Sequence, residues 1–286
     1  MRWVALILLA GALSAANVDF KCVPDELELA GATCSALHPC TVYLELAAHE
    51  IAGGKVFLAG NLHTPEVTLS SILLSSDDGG QTWTEPHERI RGAGLEQIQF
   101  IDYETGWIGG QILQGRSHDP FLLITHDGGR TFQVRPILDE TRTGAIEKFW
   151  FESKNSGSLL VDRIQATESG ARHELYQSMT GGESWSLAQV SVRPLQIKGG
   201  RSGEANPDWR VIPDAKTKSY HVGHRESKGW RTVAEFPIEV AVCKAQEITI
   251  GPEPLEPEPE VEAKPIEEKK SATPVKSGTK RKPAIP

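Results

Sequence analysis

Ser76-Asp77-Asp78-Gly79-Gly80-Gln81-Thr82-Trp83 returns later in the chain as Thr125-His126-Asp127-Gly128-Gly129-Arg130-Thr131-Phe132. Both octapeptides fit Ser/Thr-x-Asp-x-Gly-x-Thr followed by an aromatic residue. A third stretch, Ser178-Met179-Thr180-Gly181-Gly182-Glu183-Ser184-Trp185, keeps the pattern except for the aspartate, and a fourth, ending in Lys228-Gly229-Trp230, keeps little beyond the tryptophan. The closing aromatics stand at positions 83, 132, 185 and 230, so the steps are 49, 53 and 45 residues. A period near 50 residues is the signature of a propeller or a solenoid.

The segments between the octapeptides recur in phase. Ile98–Ile101 leads into Gly106-Trp107-Ile108-Gly109-Gly110, then Phe121–Thr125; Ile146–Phe151 leads into Gly157–Ile164, then Glu174–Ser178. These short apolar runs are separated by Gly, Asp, Asn and Pro, and no stretch has the length and period of a helix, so strands are expected. Four strands per repeat is the anatomy of a propeller blade. The expectation is an all-β chain: a small β-propeller of about four four-stranded blades over residues 41–92, 93–141, 142–192 and 193–243, in which Ile238–Cys243 closes the ring or caps an edge. The octapeptide has a physical reason. An aspartate in a tight turn accepts from backbone N–H groups just ahead of it, glycine supplies positive φ, and the aromatic buries a large apolar surface.

At these residues the chain resembles the Asp-box (BNR) repeat family. The segment Phe100 to Gly109, with Gly106-Trp107-Ile108-Gly109, is similar to the photosystem II stability/assembly factor branch of those propellers. The resemblance covers roughly residues 41–236, and its specific motifs lie in the two middle units. It implies that Ser76, Asp78, Gly80, Thr82, Trp83, Thr125, Asp127, Gly129, Thr131, Phe132, Ser178, Gly182, Ser184 and Trp185 are fold elements at the sheet periphery, not an active site. Family members usually have six or seven blades, whereas this repeat region has room for about four.

The flanks read differently. Residues 1–16, with Arg2, an apolar run from Trp3 to Leu13 and Ser14-Ala15-Ala16, have the layout of a secretory signal peptide cleaved after Ala16. Residues 17–40 form a cysteine-containing segment, and residues 244–286, rich in Pro, Glu and Lys, have too few apolar groups to offset ordering and are expected to be an extended tail. A secreted or periplasmic protein follows, with no transmembrane segment after cleavage. Cys22, Cys34, Cys40 and Cys243 then become disulfide partners with three possible pairings. Cys40 immediately precedes one extended run and Cys243 closes another, which favours Cys40–Cys243 and leaves Cys22–Cys34.

A formal net charge of −8 argues against a nucleic-acid partner, since counterion release needs clustered Lys and Arg. The spacing offers no metal site and no cofactor motif. His49-Glu50-Ile51-Ala52-Gly53 lacks the second histidine of a zinc-protease helix and reads as a surface pair; His221 and His224, three apart on a strand, point to opposite faces. A sialidase-like site fails on the order and spacing of Trp209-Arg210-Val211-Ile212-Pro213 and on the lack of an assignable Tyr/Glu pair. A general glycoside hydrolase needs two facing carboxylates; Asp102, Glu104, Glu147 and Glu152 are available, and nothing selects a pair. The expected function is a non-catalytic module that binds a protein or glycan outside the cytoplasm or helps assemble a complex. Candidate binding residues are the loop side chains Arg89, Arg91, Arg116, His118 and Arg201 together with Arg210 and Trp209, the latter read as an exposed aromatic; Trp107 and Trp150 are assigned to the core.

Overall fold

A computed structural model of the chain describes residues 14–113, 119–138, 143–163, 170–197 and 206–244. The expected tail therefore lies outside the described residues, apart from Lys244, and so do residues 1–13. After a two-residue strand β1 (Ser14–Ala15) and a short helix α1 (Pro24–Leu29), the chain lays down β2 (Cys40–Ala52), β3 (Lys55–His63) and β4 (Thr68–Ser76). Next come β5 (Ala93–Phe100), β6 (Gly106–Ile112), β7 (Asp119–Thr125) and β8 (Gln133–Pro136). They are followed by β9 (Ala145–Phe151), β10 (Gly157–Asp162), β11 (His173–Ser178) and β12 (Ser186–Ser191). Finally come β13 (Trp209–Asp214), β14 (Ser219–Glu226), β15 (Gly229–Pro237) and β16 (Glu239–Cys243).

These strands make four four-stranded sheets, with orders β16-β2-β3-β4, β5-β6-β7-β8, β9-β10-β11-β12 and β1-β15-β14-β13. The chain is an all-β propeller fold of four small blades. The last strand does not belong to the fourth blade. β16 pairs antiparallel with the start of β2, Cys243 opposite Cys40, so the last described strand completes the first blade.

Burial explains why the sequence switches pattern along each blade. Middle strands β3, β6 and β7 are covered on both faces and read as nearly continuous apolar runs, whereas the outer strands β8 and β12 are largely exposed. Among the described residues, apolar clusters fill three junctions. Leu44, Leu58, Ile72, Val222, Ala234 and Phe236 join the fourth blade to the first. Phe57, Leu73, Leu95, Ile98 and Leu123 join the first to the second, and Trp107, Leu122, Phe149, Phe151 and Tyr176 join the second to the third. The second and third blades are also clasped by amides. Gln97 and Gln99 each donate to and accept from the backbone of Phe149 and Phe151, at 2.8–3.1 Å, so two side chains substitute for a strand ladder.

Each octapeptide turns the chain from a third strand outward, after β4, β7 and β11. In the first, Asp78 Oδ1 accepts from the N–H groups of Gln81 and Thr82 at 2.9 Å and from Ser76 Oγ at 2.8 Å, while Oδ2 accepts from Thr82 Oγ1 at 2.6 Å. Asp127 repeats the set with Arg130, Thr131 and Thr125. In the third turn the Thr180 hydroxyl accepts from Ser184 N–H at 3.0 Å and meets Ser184 Oγ at 2.9 Å, so a neutral oxygen stands where the carboxylate stood. The second glycine of each pair has positive φ and touches the preceding blade: a Cβ on Gly80 would lie 2.8 Å from Val233, one on Gly129 2.5 Å from Phe57, one on Gly182 3.2 Å from Leu122 and 3.3 Å from Ile124. Trp83 meets Phe236 edge-on, and Trp107 donates its indole N–H to Gly181 O at 2.7 Å. Each turn therefore plugs the groove between its own blade and the one before.

The fourth stretch is different. Lys228-Gly229-Trp230 is the hairpin between β14 and β15, a second-to-third strand turn, because Glu226 pairs with Gly229; a Gly-Trp match alone does not fix which hairpin it sits in. The disulfides also differ from expectation. They are Cys22–Cys243 and Cys34–Cys40. Cys40 and Cys243 are direct register neighbours, yet the segment before β2 supplies both partners: residues 35–39 fold back so that Cys34 reaches Cys40, and Cys22 reaches the end of β16.

Two outcomes follow. Gly129→Ala, which needs positive φ and meets Phe57, is expected to cost about 2–4 kcal/mol in chemical denaturation, and Gly79→Ala, with φ +70° and nothing within 4 Å, about 1 kcal/mol. Thr82 holds the Asp78 carboxyl at about 2; for Asp127 burial pushes upward but Thr131, Thr125 and Arg130 outweigh it, again giving about 2 against the usual 3.8. The folded chain thus binds fewer protons here, so this stability is full above about pH 4 and is lost as pH falls through about 2. Acid titration of Asp78→Asn/Asp127→Asn is expected to show a flatter loss of structure over that window than the unaltered chain.

Candidate functional site

Successive residues of a strand project to opposite faces, and β13 divides its first two side chains accordingly. Trp209 turns toward the junction with the first blade. It is half-buried against that apolar cluster, with its ring centroid 4.7 Å from that of His224. It is thus a packing residue and not the exposed aromatic expected of it. Arg210 takes the other face. Its Cζ stands 4.2 Å from the centroid of Trp230, and Arg225 Cζ approaches the same ring at 5.5 Å.

Register builds this stack. Arg210 pairs with Gly223, Gly223 with Thr232, and Arg225 with Trp230. Gly223 leaves room for it, since a Cβ there would lie 3.2 Å from Arg210 Nε and 3.5 Å from Trp230 Cε3. Beside the stack lies a cleft of 230 Å³ lined by Arg210, Ile212, Asp214, His221, Gly223 and Thr232. Neither Arg210 nor Arg225 has a carboxylate partner among the described residues, whereas Arg231 is paired with Glu226 at 2.5 Å.

The other candidates do not join this face. Arg91 lines a separate 400 Å³ cavity together with Lys21, Phe20, Leu27, Ser70 and Arg89. Arg89 is already held there by Glu85 at 2.6 Å and by the carbonyl of Asp19 at 2.8 Å. Arg116, His118 and Arg201 lie outside the described residues. Trp107 is fully buried and Trp150 half-buried. His49 and Glu50 are not a surface pair: Glu50 is buried, accepting from Ile51 N–H and Asn206 Nδ2, and burial lowers the pKa of His49.

Three of the four acids considered for hydrolysis are engaged elsewhere. Asp102 accepts from the N–H groups of Glu104 and Thr105 in the β5–β6 turn, and Lys154, 2.6 Å away, is the main cause of its pKa of about 2. Glu104 also faces Lys154, at 3.9 Å. Glu147 pairs with His173 at 3.0 Å near the start of β9, the end of its strand away from that turn, and Glu152 is exposed. The structure does contain a Tyr/Glu pair that the sequence reading missed. Tyr176 donates to Glu174 at 2.6 Å, with Arg163 at 3.5 Å, and the signal was an i, i+2 pair on one strand. With exposures of 4% and 6%, these side chains belong to the packed interior between the second and third blades. No group of three or more His, Cys, Asp or Glu that could hold a metal ion occurs among the described residues.

No protein-family model matches the sequence, and no curated protein does. Solved structures similar to the chain include YCF48 from Cyanidioschyzon merolae, at 15% identity and TM-score 0.33, covering 62% of this chain and 47% of that one. They include the Penicillium chrysogenum α-L-arabinanase complexed with arabinobiose, at 14% and 0.33, covering 67% and 58%. They include the NanB sialidase of Streptococcus pneumoniae, at 14% and 0.29, covering 62% and 30%. The chain thus spans about half the length of the first two and less of the third.

The two tryptophans are expected to separate in a stability measurement. Trp209→Ala should cost about 2 kcal/mol through lost packing, and Trp230→Ala under about 1 kcal/mol, because its partners are surface cations.

Proposed function

We propose that this chain is an exported, non-catalytic binding module that holds an anionic group of a protein or glycan partner on the face of its fourth blade opposite the first blade. The observation that carries this reading is Trp230 with two guanidinium groups against it that have no carboxylate partner among the described residues. Stacking on an indole occupies the faces of a guanidinium and leaves its in-plane N–H donors for a carboxylate or sulfate, which they can bind bidentately. On a chain of net charge −8, such a site selects by close contact and not by long-range attraction.

Supporting the binding reading over hydrolysis, Asp102, Glu104 and Glu147 are each committed to turns or ion pairs. Supporting export are the signal-like residues 1–16, whose cleavage would remove only the two-residue edge strand β1 from the fourth blade, and two disulfides, which persist in oxidising compartments. Among the described residues no helix is long and apolar enough to cross a membrane.

The test is affinity capture from the envelope fraction of the source cell with the unaltered protein and with Arg210→Ala/Arg225→Ala, alongside calorimetric titration with a uronic-acid oligosaccharide and its carboxyl-reduced form. The expected result is an acidic species retained by the unaltered protein and weakened at least about tenfold by the double substitution, as for loss of charge-assisted bonds. Equal retention by both proteins contradicts the reading.

A further inference from the structure

The cavity that holds Arg91 lies between the first blade and the cysteine-containing segment that precedes it. Register sets its first-blade wall. Ser70 stands opposite Leu62 of β3 on one flank and opposite Arg91 on the other, and directly opposed residues of an antiparallel pair project to the same side. Gly92 N–H donates to Leu69 O at 2.8 Å and Ser71 N–H to Ile90 O at 2.9 Å. These bonds bracket the Ser70–Arg91 pair without passing through it, which is the arrangement that brings opposed side chains closest. The shared side is the one that Val18 and Leu27 cover, because Leu62 belongs to the same apolar cluster as they do. Arg91 and Ser70 therefore meet on one wall of one cavity.

Both of these polar groups are left open. Ser70 Oγ is buried without a hydrogen-bond partner, whereas the adjoining Ser71 hydroxyl accepts from Ile90 N–H at 2.9 Å. An orphaned hydroxyl of this kind is rare in a native interior. Arg91 has no carboxylate partner among the described residues, while Arg89 is held by Glu85 at 2.6 Å. Arg89 also donates to Asp19 O at 2.8 Å, and Cys22 is bonded to Cys243, so the facing segment is fixed on both sides of Phe20 and Lys21. That segment and the blade supply apolar surface: Phe20 is half-buried, Leu27 and Leu69 are buried, and Val23 is 40% exposed at the margin. The remaining charges, Asp19, Lys21 and Glu26, are exposed on the facing segment. Two acids there offset the two free cations, Lys21 and Arg91, so the cavity has no field that would gather a polyanion.

We propose that this cavity binds a small monocarboxylic acid with an apolar body. The guanidinium of Arg91 and the hydroxyl of Ser70 both donate to the carboxylate, and the body lies against Phe20, Val23, Leu27 and Leu69. An apolar lining with a few convergent polar groups is the usual make-up of a small-molecule site, and 400 Å³ is within its usual size. The cavity is separate from the cleft beside Arg210, and the proposal does not rest on the reading given to that cleft.

The test is calorimetric titration of the full chain with octanoate and with octanamide, its uncharged counterpart. The expected result is one saturable site for octanoate with Kd on the order of 0.1 mM, suited to a ligand of about ten non-hydrogen atoms. Octanamide should bind at least about tenfold more weakly, a comparison that needs no variant. Arg91→Gln, at an exposed position, should weaken octanoate at least about tenfold as well. Ser70→Ala should weaken it about threefold or more yet melt no lower than the unaltered chain, because the change removes an unpartnered buried hydroxyl. Arg210→Ala/Arg225→Ala should bind octanoate as the unaltered chain does. No heat with about 5 mM octanoate, far above that Kd, would mean that water alone satisfies Ser70 and would overturn the proposal. Equal affinity for the acid and the amide, or octanoate binding that is lost with Arg210 and Arg225 and kept in Arg91→Gln, would overturn it equally.

Discussion

The contact on which the rest of this fold depends is that between the second glycine of each octapeptide turn and the apolar face of the preceding blade. A small twisted sheet cannot bury both faces by itself, and three or four strands leave most of its apolar surface in water. The turns after β4, β7 and β11 solve this by bringing backbone, without side-chain bulk, against Val233, Phe57 and Leu122. Asp78 and Asp127 hold the turns in the shape that makes the approach possible, and Thr180 with Ser184 does so without charge. The carboxylates act on the local turn, the glycines on the packing between blades.

That division explains which parts of the molecule were legible in the sequence. The glycine doublets and hydroxyl-acid pattern report a local turn, and local turns survive as strings of adjacent residues. The all-β fold of four small sheets was legible for the same reason, since the apolar runs between Ala93 and Pro136 and between Ala145 and Ser191 repeat in step with the turns. What depends on distant partners was not legible. Gln97 and Gln99 look like the polar positions of an alternating strand, and only the backbone of Phe149 and Phe151, 52 residues on, reveals them as a clasp. The choice of β16 between closing the ring and capping an edge, left open by the sequence, and the exchange of disulfide partners are likewise long-range facts. A run of Val and Cys does not say which edge it completes.

The site shows a subtler version of this limit. Trp209 and Arg210 are neighbours in sequence, which suggested one aromatic and basic surface, although a strand period of two already separates them. Arg210 instead finds Trp230 across two strands, and the match needs Gly223 in between. The sequence could have yielded the separation but not the partner. The fourth blade is also the one without an octapeptide turn, so the face carrying the stacked guanidinium groups belongs to the blade in which the repeat is least regular. Regular repeats there maintain the scaffold, and the proposed binding face lies where the repeat departs from them.

Amide hydrogen exchange tests this account most directly. The N–H groups of Gly80, Gly129 and Gly182 donate to Ser76, Thr125 and Ser178 hydroxyls at 2.8–3.0 Å while the glycines lie against the neighbouring blade. If the turns lock the blades together, these three loop amides exchange as slowly as the core amides of β3 and β6, through the same global opening. Exchange at the rate of freely solvated loops, with the strands still protected, would show that the blades cohere without them and would contradict the account.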